Sequence, residues 1–342
     1  MKNDNIKVIT FGELMLRLTP PQNLRIIQTK TYNSCFAGSE ANVAVSLRNL
    51  GVDSSFITSL PTNNLGIAAL SQLRFYGVNT THILQKNGRL GIFLVEEGYS
   101  QRASTVLYDR ENSVFSKSKK DDFNWSTIFE SYDWFHFSGI TPALSEELAD
   151  ICETALIEAK RKGLNVSCDL NYRSKLWDKN NASLTMRRYM PYIDVLIGNE
   201  EDAKTIFGYD YTNDDSKEVD ISEYERIMVD LHNKYRFKKI YFTLRESINS
   251  NINEWSSVGY DGLKLYKSRK YSINVLDRLG AGDSFSASII YGEVKKFDTQ
   301  HIIDFATASS CLKHSIHEDF NNVSVEEICD LLNGISSGRI KR

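Results

Sequence analysis

The motif Gly-Ala-Gly-Asp at residues 280–283 places a carboxylate directly after a turn of small residues. Residues 271–276 before the motif alternate between apolar and polar, which predicts a strand, and residues 284–291 after it predict a helix. A glycine turn that leads into a helix N-terminus presents free backbone N–H groups and the positive end of the helix dipole. Such a place favours a bound anion.

Phosphoryl transfer needs an anion site of this kind and, close to it, a base for the attacking hydroxyl group. Asp283 could be that base. The spacing alone also fits a structural interpretation, in which Asp283 caps the helix and the glycines form a tight turn. The stretch has neither the GK[ST] ending of a phosphate loop nor the six-residue fingerprint of dinucleotide-binding proteins.

Residues 277–285, DRLGAGDSF, resemble the C-terminal signature of the PfkB (ribokinase-like) carbohydrate kinases, written D-T-x-G-A-G-D. The resemblance implies that Asp283 is the catalytic base. It also implies an anion hole made by the three small residues of the motif, Gly280, Ala281 and Gly282. Arg278 stands where many members have Thr. This variant is similar to one branch of the family, the 2-keto-3-deoxygluconate kinases.

Two further stretches resemble that branch. Residues 169–177, DLNYRSKLW, imply that Arg173 contacts the acid group of the sugar and that Asn171 lies near the phosphates. Tyr108 and Arg110 match a Tyr-x-Arg that holds the acidic sugar. Arginine binds a carboxylate through two parallel hydrogen bonds and stays charged, so two arginines at one pocket would select acids over neutral sugars. Without the resemblance, both stretches would be interpreted as a polar loop and a solvated strand end.

Residues 36–42, FAGSEAN, resemble the family motif G-G-x-x-x-N, whose backbone and amide groups approach the sugar. Ala37 replaces the first glycine. A turn of small residues that opens a helix could equally serve only close packing. The resemblance therefore adds Gly38 and Asn42 to the predicted sugar site. It also adds Phe93, which falls near a family tyrosine, and Asp319, which matches a family aspartate.

Residues 199–202, NEED, resemble the family motif N-x-x-E, which organises Mg²⁺ near the phosphates of ATP. The fourth position carries Asp where the family has Glu, so the predicted Mg²⁺ set is Asn199, Glu201 and Asp202. An acidic helix N-terminus stabilised by the helix dipole explains these carboxylates equally well. Because Mg²⁺ keeps several of its waters, few protein ligands are expected.

Besides Asn171, Gly280 and Gly282, three more residues are predicted to bind ATP. Thr243 and Arg245 follow a strand and are placed near the phosphates or the ribose; a surface salt bridge is the alternative for Arg245. Thr307 lies among small helical residues that could admit the adenine or could simply pack closely. His314 and His317 are three residues apart and have no evident third ligand, so we expect no transition metal.

The composition limits which binding partners and which cellular compartment we expect for this protein. The net charge of −3 gives no reason to expect binding to nucleic acid or to a membrane surface. No apolar run is long enough to cross a bilayer, and the first residues lack a signal-peptide pattern. The five cysteines are scattered and form no CxxC motif, so we predict free thiols in a cytoplasmic protein.

Predicted strands and helices alternate along most of the chain, which predicts a parallel sheet that binds its ligands at the carboxyl ends of the strands. Segments 13–37 and 88–112 contain short alternating pieces and predict a small antiparallel sheet. The resemblance implies one ribokinase-like domain, 1–342, with a three-layer α/β/α fold. Those two segments would form a β-sheet lid that closes over the sugar and makes a homo-oligomer. Segment 212–225 is predicted to be an exposed loop and helix start, and 336–342 a frayed basic end.

The resulting hypothesis is ATP-dependent phosphorylation of 2-keto-3-deoxygluconate on its terminal hydroxyl group, which gives 2-keto-3-deoxy-6-phosphogluconate. One rival is another kinase of the same family, such as a fructokinase or a 5-dehydro-2-deoxygluconate kinase. The other rival is a silent paralogue that only binds a sugar acid or a nucleotide. The departures at Ala37, Arg278 and Asp202 leave room for the silent paralogue, whereas the intact Gly-Ala-Gly-Asp argues against it.

Overall fold

The computed structural model describes residues 6–209 and 221–335, so the tail 336–342 and residues 212–220 of segment 212–225 lie outside the described residues. Within these ranges the strands are β1 Lys7–Phe11, β2 Met15–Thr19, β3 Asn33–Ala37, β4 Asp53–Ile57, β5 Ser59–Pro61, β6 Leu84–Lys86, β7 Ile92–Glu96, β8 Thr105–Asp109, β9 Trp134–Ser138, β10 Asn165–Asp169, β11 Val195–Asn199, β12 Lys239–Ser247, β13 Ile252–Tyr260, β14 Leu265–Lys267 and β15 Tyr271–Asn274. The α-helices are α1 Ser39–Asn49, α2 Asn64–Phe75, α3 Trp125–Ile128, α4 Glu146–Arg161, α5 Lys179–Tyr189, α6 Glu200–Phe207, α7 Ile221–Tyr235, α8 Ala281–Val294, α9 Thr299–Lys313 and α10 Val325–Leu332.

The large sheet has the strand order β14-β13-β12-β11-β10-β9-β1-β4, and β15 pairs with β13. The strands from β12 to β4 in this order pair in parallel, as connections through helices require. β13 runs antiparallel to β12, β14 and β15. The carboxyl ends of β10, β11 and β12 therefore meet at one edge, where Asn199 pairs with Thr243.

The two faces of this sheet carry two separate apolar cores. In β9, Trp134 packs with the helices α1, α8, α9 and α10, whereas Phe135 and Phe137 pack with α4, α5, α6 and α7. This alternation follows from the period of two along a strand. The arrangement confirms the predicted three-layer α/β/α fold with a mostly parallel sheet.

A second sheet, which we call the lid, has the strand order β3-β2-β7-β8. β2 pairs antiparallel with β3, and β7 pairs antiparallel with β8, but the central pair β2–β7 is parallel. The lid is therefore mixed, not purely antiparallel as predicted, because each hairpin-like pair comes from a separate part of the chain. Its buried face carries Met15, Phe93 and Val95, and these pack against Leu279 in the turn before α8.

The helices differ from the prediction in two ways. α8 begins at Ala281, three residues earlier than predicted, so Asp283 lies inside its first turn. α5 was not predicted, because its sequence is mostly polar. Its buried residues Ala182, Met186 and Tyr189 nevertheless follow helical spacing, and Asp178 caps its first turn. The five cysteines are free thiols, as expected. None of the described helices combines the length and the apolar character that a membrane span requires.

Candidate active site

A cleft of about 560 Å³ lies between the carboxyl ends of β10, β11 and β12 and the lid strand β8. Its walls come from β8, from the loop after β10, from the β11–α6 turn, from β12 and from the turn before α8. This position matches the general rule that parallel sheets bind ligands beyond the carboxyl ends of their strands.

Asp283 lies on the wall of this cleft and is 9% exposed. One carboxylate oxygen accepts a hydrogen bond from Ser39 Oγ, and the other accepts one from Asn42 Nδ2, each at 2.6 Å. Both donors belong to the first turn of α1, so two helix N-termini converge on this carboxylate. Burial raises the pKa of Asp283, and the two hydrogen bonds act in the opposite direction. A fixed carboxylate with a raised pKa is suited to accept a proton.

The first turn of α8 is open towards the cleft. Gly280 precedes the helix in the left-handed region, at φ +78°, and no side chain caps the first N–H groups. A Cβ on Gly280 would overlap the carbonyl oxygen of Asp319, so the fold itself requires this glycine. A Cβ on Gly282 would meet no atom, and its φ is not in the left-handed region. No contact within the described chain explains Gly282, which instead leaves room for a ligand close to the N–H groups.

Two further carboxylates lie near Asp283 in the same cleft. Burial raises the pKa of Asp169 well above its ordinary range, and the charges of Asp202 and Asp283 act in the same direction. Burial also raises the pKa of Asp202 to about 6. Asp202 Oδ2 and Glu200 Oε2 are buried and have no hydrogen-bond partner among the residues that the structure covers. Buried, unpaired carboxylate oxygens of this kind are suited to a hard cation.

Basic side chains line the opposite parts of the cleft: Arg173, Lys175, Arg245 and Arg278. Across the described ranges, the ion pairs include none of these four side chains. Arg278 donates to the carbonyl oxygen of Ser250 at 2.9 Å, and burial together with the nearby charge of Arg245 lowers its pKa. Cationic side chains that line one cleft and form no ion pair within the described ranges favour an anionic ligand with several charges.

The family model described as "pfkB family carbohydrate kinase" matches residues 5–319. The chain belongs to the pfkB family of carbohydrate kinases. The family resemblance drawn from its motifs is thereby confirmed, and the chain is an ATP-dependent phosphotransferase.

Three relatives cover nearly the whole kinase. The solved structure of 2-dehydro-3-deoxygluconokinase from Thermotoga maritima is 46% identical, with a TM-score of 0.93, and the match covers 96% of this chain and 99% of that one. A putative 2-keto-3-deoxygluconate kinase from Enterococcus faecalis is 28% identical, with a TM-score of 0.90 and coverage of 98% and 99%. The curated 2-dehydro-3-deoxygalactonokinase of Haloferax volcanii is 28% identical over 97% of this chain and 98% of its own length.

The cleft of this kinase brings together twelve of the predicted site residues. They are Tyr108, Asn171, Arg173, Asn199, Glu201, Asp202, Thr243, Arg245, Gly280, Ala281, Gly282 and Asp283. The two asparagines among them form side-chain hydrogen bonds at the site. Asn199 caps α6 by accepting from the Asp202 backbone N–H at 3.0 Å, and Asn171 donates to Ser39 Oγ at 3.3 Å. Asn171 therefore extends the hydrogen-bonded chain that ends at Asp283.

The other predicted site residues do not line the cleft: Gly38, Asn42, Phe93, Arg110, Thr307 and Asp319. Asn42 acts on the site through Asp283, and Gly38 is required where its backbone passes Glu13. The guanidinium of Arg110 is bound by Glu13 Oε2 at 2.5 Å and 2.9 Å and is not directed at the cleft.

Phe93 and Thr307 have side chains that pack inside the fold. Phe93 belongs to the lid core, with its ring centroid 6.1 Å from that of Tyr108. Thr307 is fully buried, donates to the carbonyl oxygen of Ile303 at 2.7 Å and shares a hydrogen bond of 2.6 Å with Ser257. In this structure the Thr307 hydroxyl has no free side to offer an adenine.

Five residues at the site were not assigned a role from the sequence. Ser39 holds Asp283, and the other four line the cleft: Asp169, Lys175, Glu200 and Arg278. Three had a visible signal, because Asp169 and Lys175 lie in the DLNYRSKLW stretch and Arg278 departs from the family motif. Nothing in the sequence distinguishes Glu200 from its acidic neighbours. Only the fold shows that its carboxylate is the one left buried and unpaired.

Proposed function

We propose that this kinase phosphorylates 2-keto-3-deoxygluconate on its terminal hydroxyl group and releases 2-keto-3-deoxy-6-phosphogluconate and ADP. The arrangement at Asp283 carries the proposal. A buried carboxylate held by two donors lies beside an uncapped helix N-terminus, in a cleft that Arg173 also lines. The names of the relatives from Thermotoga maritima and Haloferax volcanii support a ketodeoxy sugar acid.

Asp283 acts as the general base. As the hydroxyl oxygen of the sugar attacks the γ-phosphorus of ATP, a carboxylate oxygen of Asp283 takes the hydroxyl proton. The bond from the γ-phosphorus to the bridging oxygen breaks, and ADP leaves with that electron pair. Ser39 and Asn42 keep the carboxylate in one orientation, so no reorganisation is needed during the transfer.

The free N–H groups at the start of α8 stabilise the negative charge on the transferring phosphoryl group, since the helix dipole adds to their effect. The open space at Gly282 lets the phosphoryl oxygens approach these groups. Arg245 and Arg278 line the same cleft and neutralise the remaining phosphate charge.

The residues at the β11–α6 turn fit Mg²⁺, because two buried carboxylate oxygens there, on Glu200 and Asp202, have no partner among the described residues. Bound Mg²⁺ supplies charge neutralisation between the phosphates. Glu200 and Asp202 would hold it, with Asn199 and Glu201 of the predicted set at the same turn. Asn199 contributes by fixing the Asp202 backbone.

Arg173 and Tyr108 bind the acid end of the sugar, since both line the cleft. Arg173 is exposed there and offers the planar pair of donors that a carboxylate needs. Arg110 reaches the sugar only if it leaves Glu13, so its predicted contact belongs to a closed state of the lid. We also propose, from the resemblance alone, that the lid packs against a second subunit and that the enzyme acts in the cytoplasm.

A coupled ADP-release assay with Mg-ATP tests the proposal. The acceptors are 2-keto-3-deoxygluconate, its galactonate epimer, gluconate, fructose and ribose. We expect turnover with the ketodeoxy acids and at most weak turnover with the others. Arg173→Met should raise the KM for the acid and leave any turnover of fructose unchanged.

Each other outcome selects a rival. Preferred turnover of fructose or ribose would overturn the proposed substrate and favour another kinase of the family. Preference for the galactonate epimer would support the specificity named for the Haloferax volcanii relative. Calorimetric binding of the sugar acid without any consumption of ATP would favour a silent paralogue.

A further inference from the structure

Arg17 is a buried cation that does not belong to the cleft. It lies on β2 of the lid, and its side chain is only 2% exposed. Its guanidinium binds Asp319 Oδ1 at 2.7 Å and Asp277 Oδ2 at 2.8 Å, and it lies 3.4 Å from Glu97 Oε1. Its Nε donates to Thr19 Oγ1 at 2.9 Å. One lid side chain is thus shared between three carboxylates from three separate loops.

Two of these carboxylates belong to the segments that shape the anion hole. Asp277 Oδ1 accepts from the backbone N–H of Leu279 at 3.0 Å, and its Oδ2 accepts from the N–H of Glu318 at 3.1 Å. Asp319 presses its carbonyl oxygen against Gly280, where a Cβ would overlap it. Arg17 is therefore connected to Gly280, the first residue of the glycine turn, through Asp277 and through Asp319.

The guanidinium group of Arg17 lies at a position that is suited to a cation. Glu97, Asp277 and His317 have ligand atoms within 4.8 Å of one another, as in a metal site. A cavity of about 330 Å³ beside them is lined by Arg17 as well. Arg17 supplies one positive charge to Asp277 and Asp319, and the buried Lys313 is a second cationic side chain close to the same two carboxylates.

We propose that Arg17 is a positioning residue that couples the lid to the anion hole. Its guanidinium group holds Asp277 and Asp319 in fixed positions relative to each other. These two residues in turn fix the direction of the N–H groups that follow Gly280. A displacement of the lid moves Arg17 and so changes the alignment of the anion hole with the γ-phosphoryl group. The inference rests on the phosphoryl-transfer chemistry proposed above, and it holds for any sugar that the enzyme accepts.

The ion pair of Arg110 with Glu13 gives a useful contrast. It is also buried, but the structure connects Glu13 to Ser113 and Arg110 and not to the turn before α8. Leu279, by comparison, packs on the lid face that carries Arg17, so the lid contacts this turn by apolar packing and by charge. Of these two lid arginines, only Arg17 reaches the catalytic turn.

The test compares Arg17→Ala with Arg89→Ala, a control that removes an exposed lid arginine paired with Asp109. Because misplaced catalytic groups cost roughly 10- to 100-fold in rate, we expect a fall of about that size in kcat for Arg17→Ala. The KM values for ATP and sugar should change much less. Low concentrations of guanidinium ion should restore part of the kcat, since the ion fits the vacated place between the carboxylates. Arg89→Ala should behave like the wild type.

A second variant keeps the test decisive if Arg17→Ala does not fold. Arg17→Lys retains the charge but lacks the planar fork, so we expect a folded protein with a reduced kcat and nearly unchanged KM values. A folded Arg17 variant with the kcat of the wild type would overturn the inference. A loss of kcat that guanidinium does not restore would overturn it too, because general destabilisation would then explain the loss.

The failure of this inference is distinguishable from that of the proposed function. If the wild type does not phosphorylate a ketodeoxy acid, the proposed substrate fails, and the Arg17 variants are compared with the sugar that does support turnover. If the wild type phosphorylates the acid and the Arg17 variants match its kcat, only the coupling fails.

Discussion

At the scale of single residues, the carboxylate that we propose as the base is held by two side chains that are distant from it in the sequence. Ser39 and Asn42 donate to the two oxygens of Asp283 and leave little freedom for its rotation. The structural interpretation, in which Asp283 caps α8, does not hold, because Gly280 is the cap residue and Asp283 lies in the first turn. Its side chain is thus directed at α1 and the cleft.

Replacement of Asp283 by Asn should separate binding from chemistry. Asn keeps an oxygen for Ser39 but cannot take the hydroxyl proton, so we expect turnover to fall by roughly 10²- to 10⁴-fold. Sugar binding, measured by calorimetry, should remain. Ser39→Ala is the matched control, because it removes one donor and keeps the base, and its loss should be far smaller. Near-normal turnover of Asp283→Asn would remove the residue from its role.

Replacement of the two glycines of the motif by Ala should affect different properties, catalytic activity at Gly282 and stability at Gly280. Gly282→Ala meets no atom, so we expect a change in unfolding free energy of less than about 1 kcal/mol together with a clear loss of kcat. Gly280→Ala should destabilise the fold by at least about 1–2 kcal/mol, because Ala is strained at φ +78° and overlaps Asp319. Thermal unfolding and initial rates measured on both variants decide this. Full activity in Gly282→Ala would mean that no ligand approaches there.

The structure brings most of the predicted motif residues together in one cleft, whereas the partners of charged groups could not be predicted from the sequence. Tyr108, Arg173 and the Gly-Ala-Gly-Asp motif all line the cleft, because each motif carries its own local geometry. Arg110 was placed at the sugar, yet Glu13 binds it from 97 residues away. A pattern in one segment contains no information on such a distant counter-charge.

At the scale of elements, the site depends on how α1 is held against the large sheet. Glu40, in the first turn of α1, is buried. Its Oε1 accepts from the backbone N–H and the hydroxyl of Ser138, at the end of β9, and from Thr141. This contact fixes the helix turn that also carries Ser39. Glu40 was not singled out in the sequence, since an acidic residue in a first helical turn is ordinary.

Glu40 should make stability depend on pH. Burial raises its pKa from 4.5 to about 7, so the folded protein binds a proton that the unfolded chain has lost. The resulting stabilisation is complete below about pH 4.5 and is lost as the pH rises through about 7. Gln at this position keeps Oε1 as the acceptor and does not titrate. We therefore expect Glu40→Gln to be more stable than the wild type at pH 8, with the difference shrinking at lower pH.

Chemical denaturation between pH 5 and 8, at a few values in this range, measures the effect. Asp169, Asp202 and Asp283 also have raised pKa values, so both proteins lose stability with rising pH, and only the difference between them isolates Glu40. A difference that does not vary with pH would contradict the argument.

Most strands and helices with a strong hydrophobic periodicity were predicted from the sequence. Elements that depend on tertiary packing were not. β9 and α4 have clear alternation or a clear apolar stripe and were found. α5 is largely polar, and packing against the rest of the fold stabilises it. α10 is an exception: it was missed although Ser324 and Glu327 form a capping box and its apolar residues share one face, because it is only eight residues long. The parallel pairing of β2 with β7 was missed as well, because register between distant strands is set by the whole lid.

At the scale of the whole molecule, the cleft is bounded by two bodies, the large sheet and the lid. Lys175, in the loop after β10, donates to the carbonyl oxygen of Val106 on β8 at 2.7 Å and so bridges them. Arg17 and Leu279 connect them from the other side. In the mechanism that we propose, closure of the lid would exclude water, which otherwise competes to accept the phosphoryl group.

Lys175→Met should weaken this closure. The loss of one hydrogen bond of about 1 kcal/mol predicts a roughly threefold to tenfold higher KM for the sugar acid, with little change in the KM for ATP. Lys179→Met, which alters an exposed lysine at the start of α5, is the matched control. Steady-state kinetics with both substrates give the comparison. An equal effect of the two changes would show that the bridge to Val106 is unimportant.

Asp319, near the end of the chain, binds Arg17 across 302 residues, and Asp283 binds Asn42 across 241. During synthesis the lid strands and the loop after β10 leave the ribosome first, whereas the turn before α8 and Asp283 come later. Until the final quarter of the protein has docked, a growing chain can hold neither a reactive carboxylate nor an aligned phosphate. A growing chain would therefore gain the proposed phosphoryl-transfer chemistry only after its last elements have folded onto its first ones.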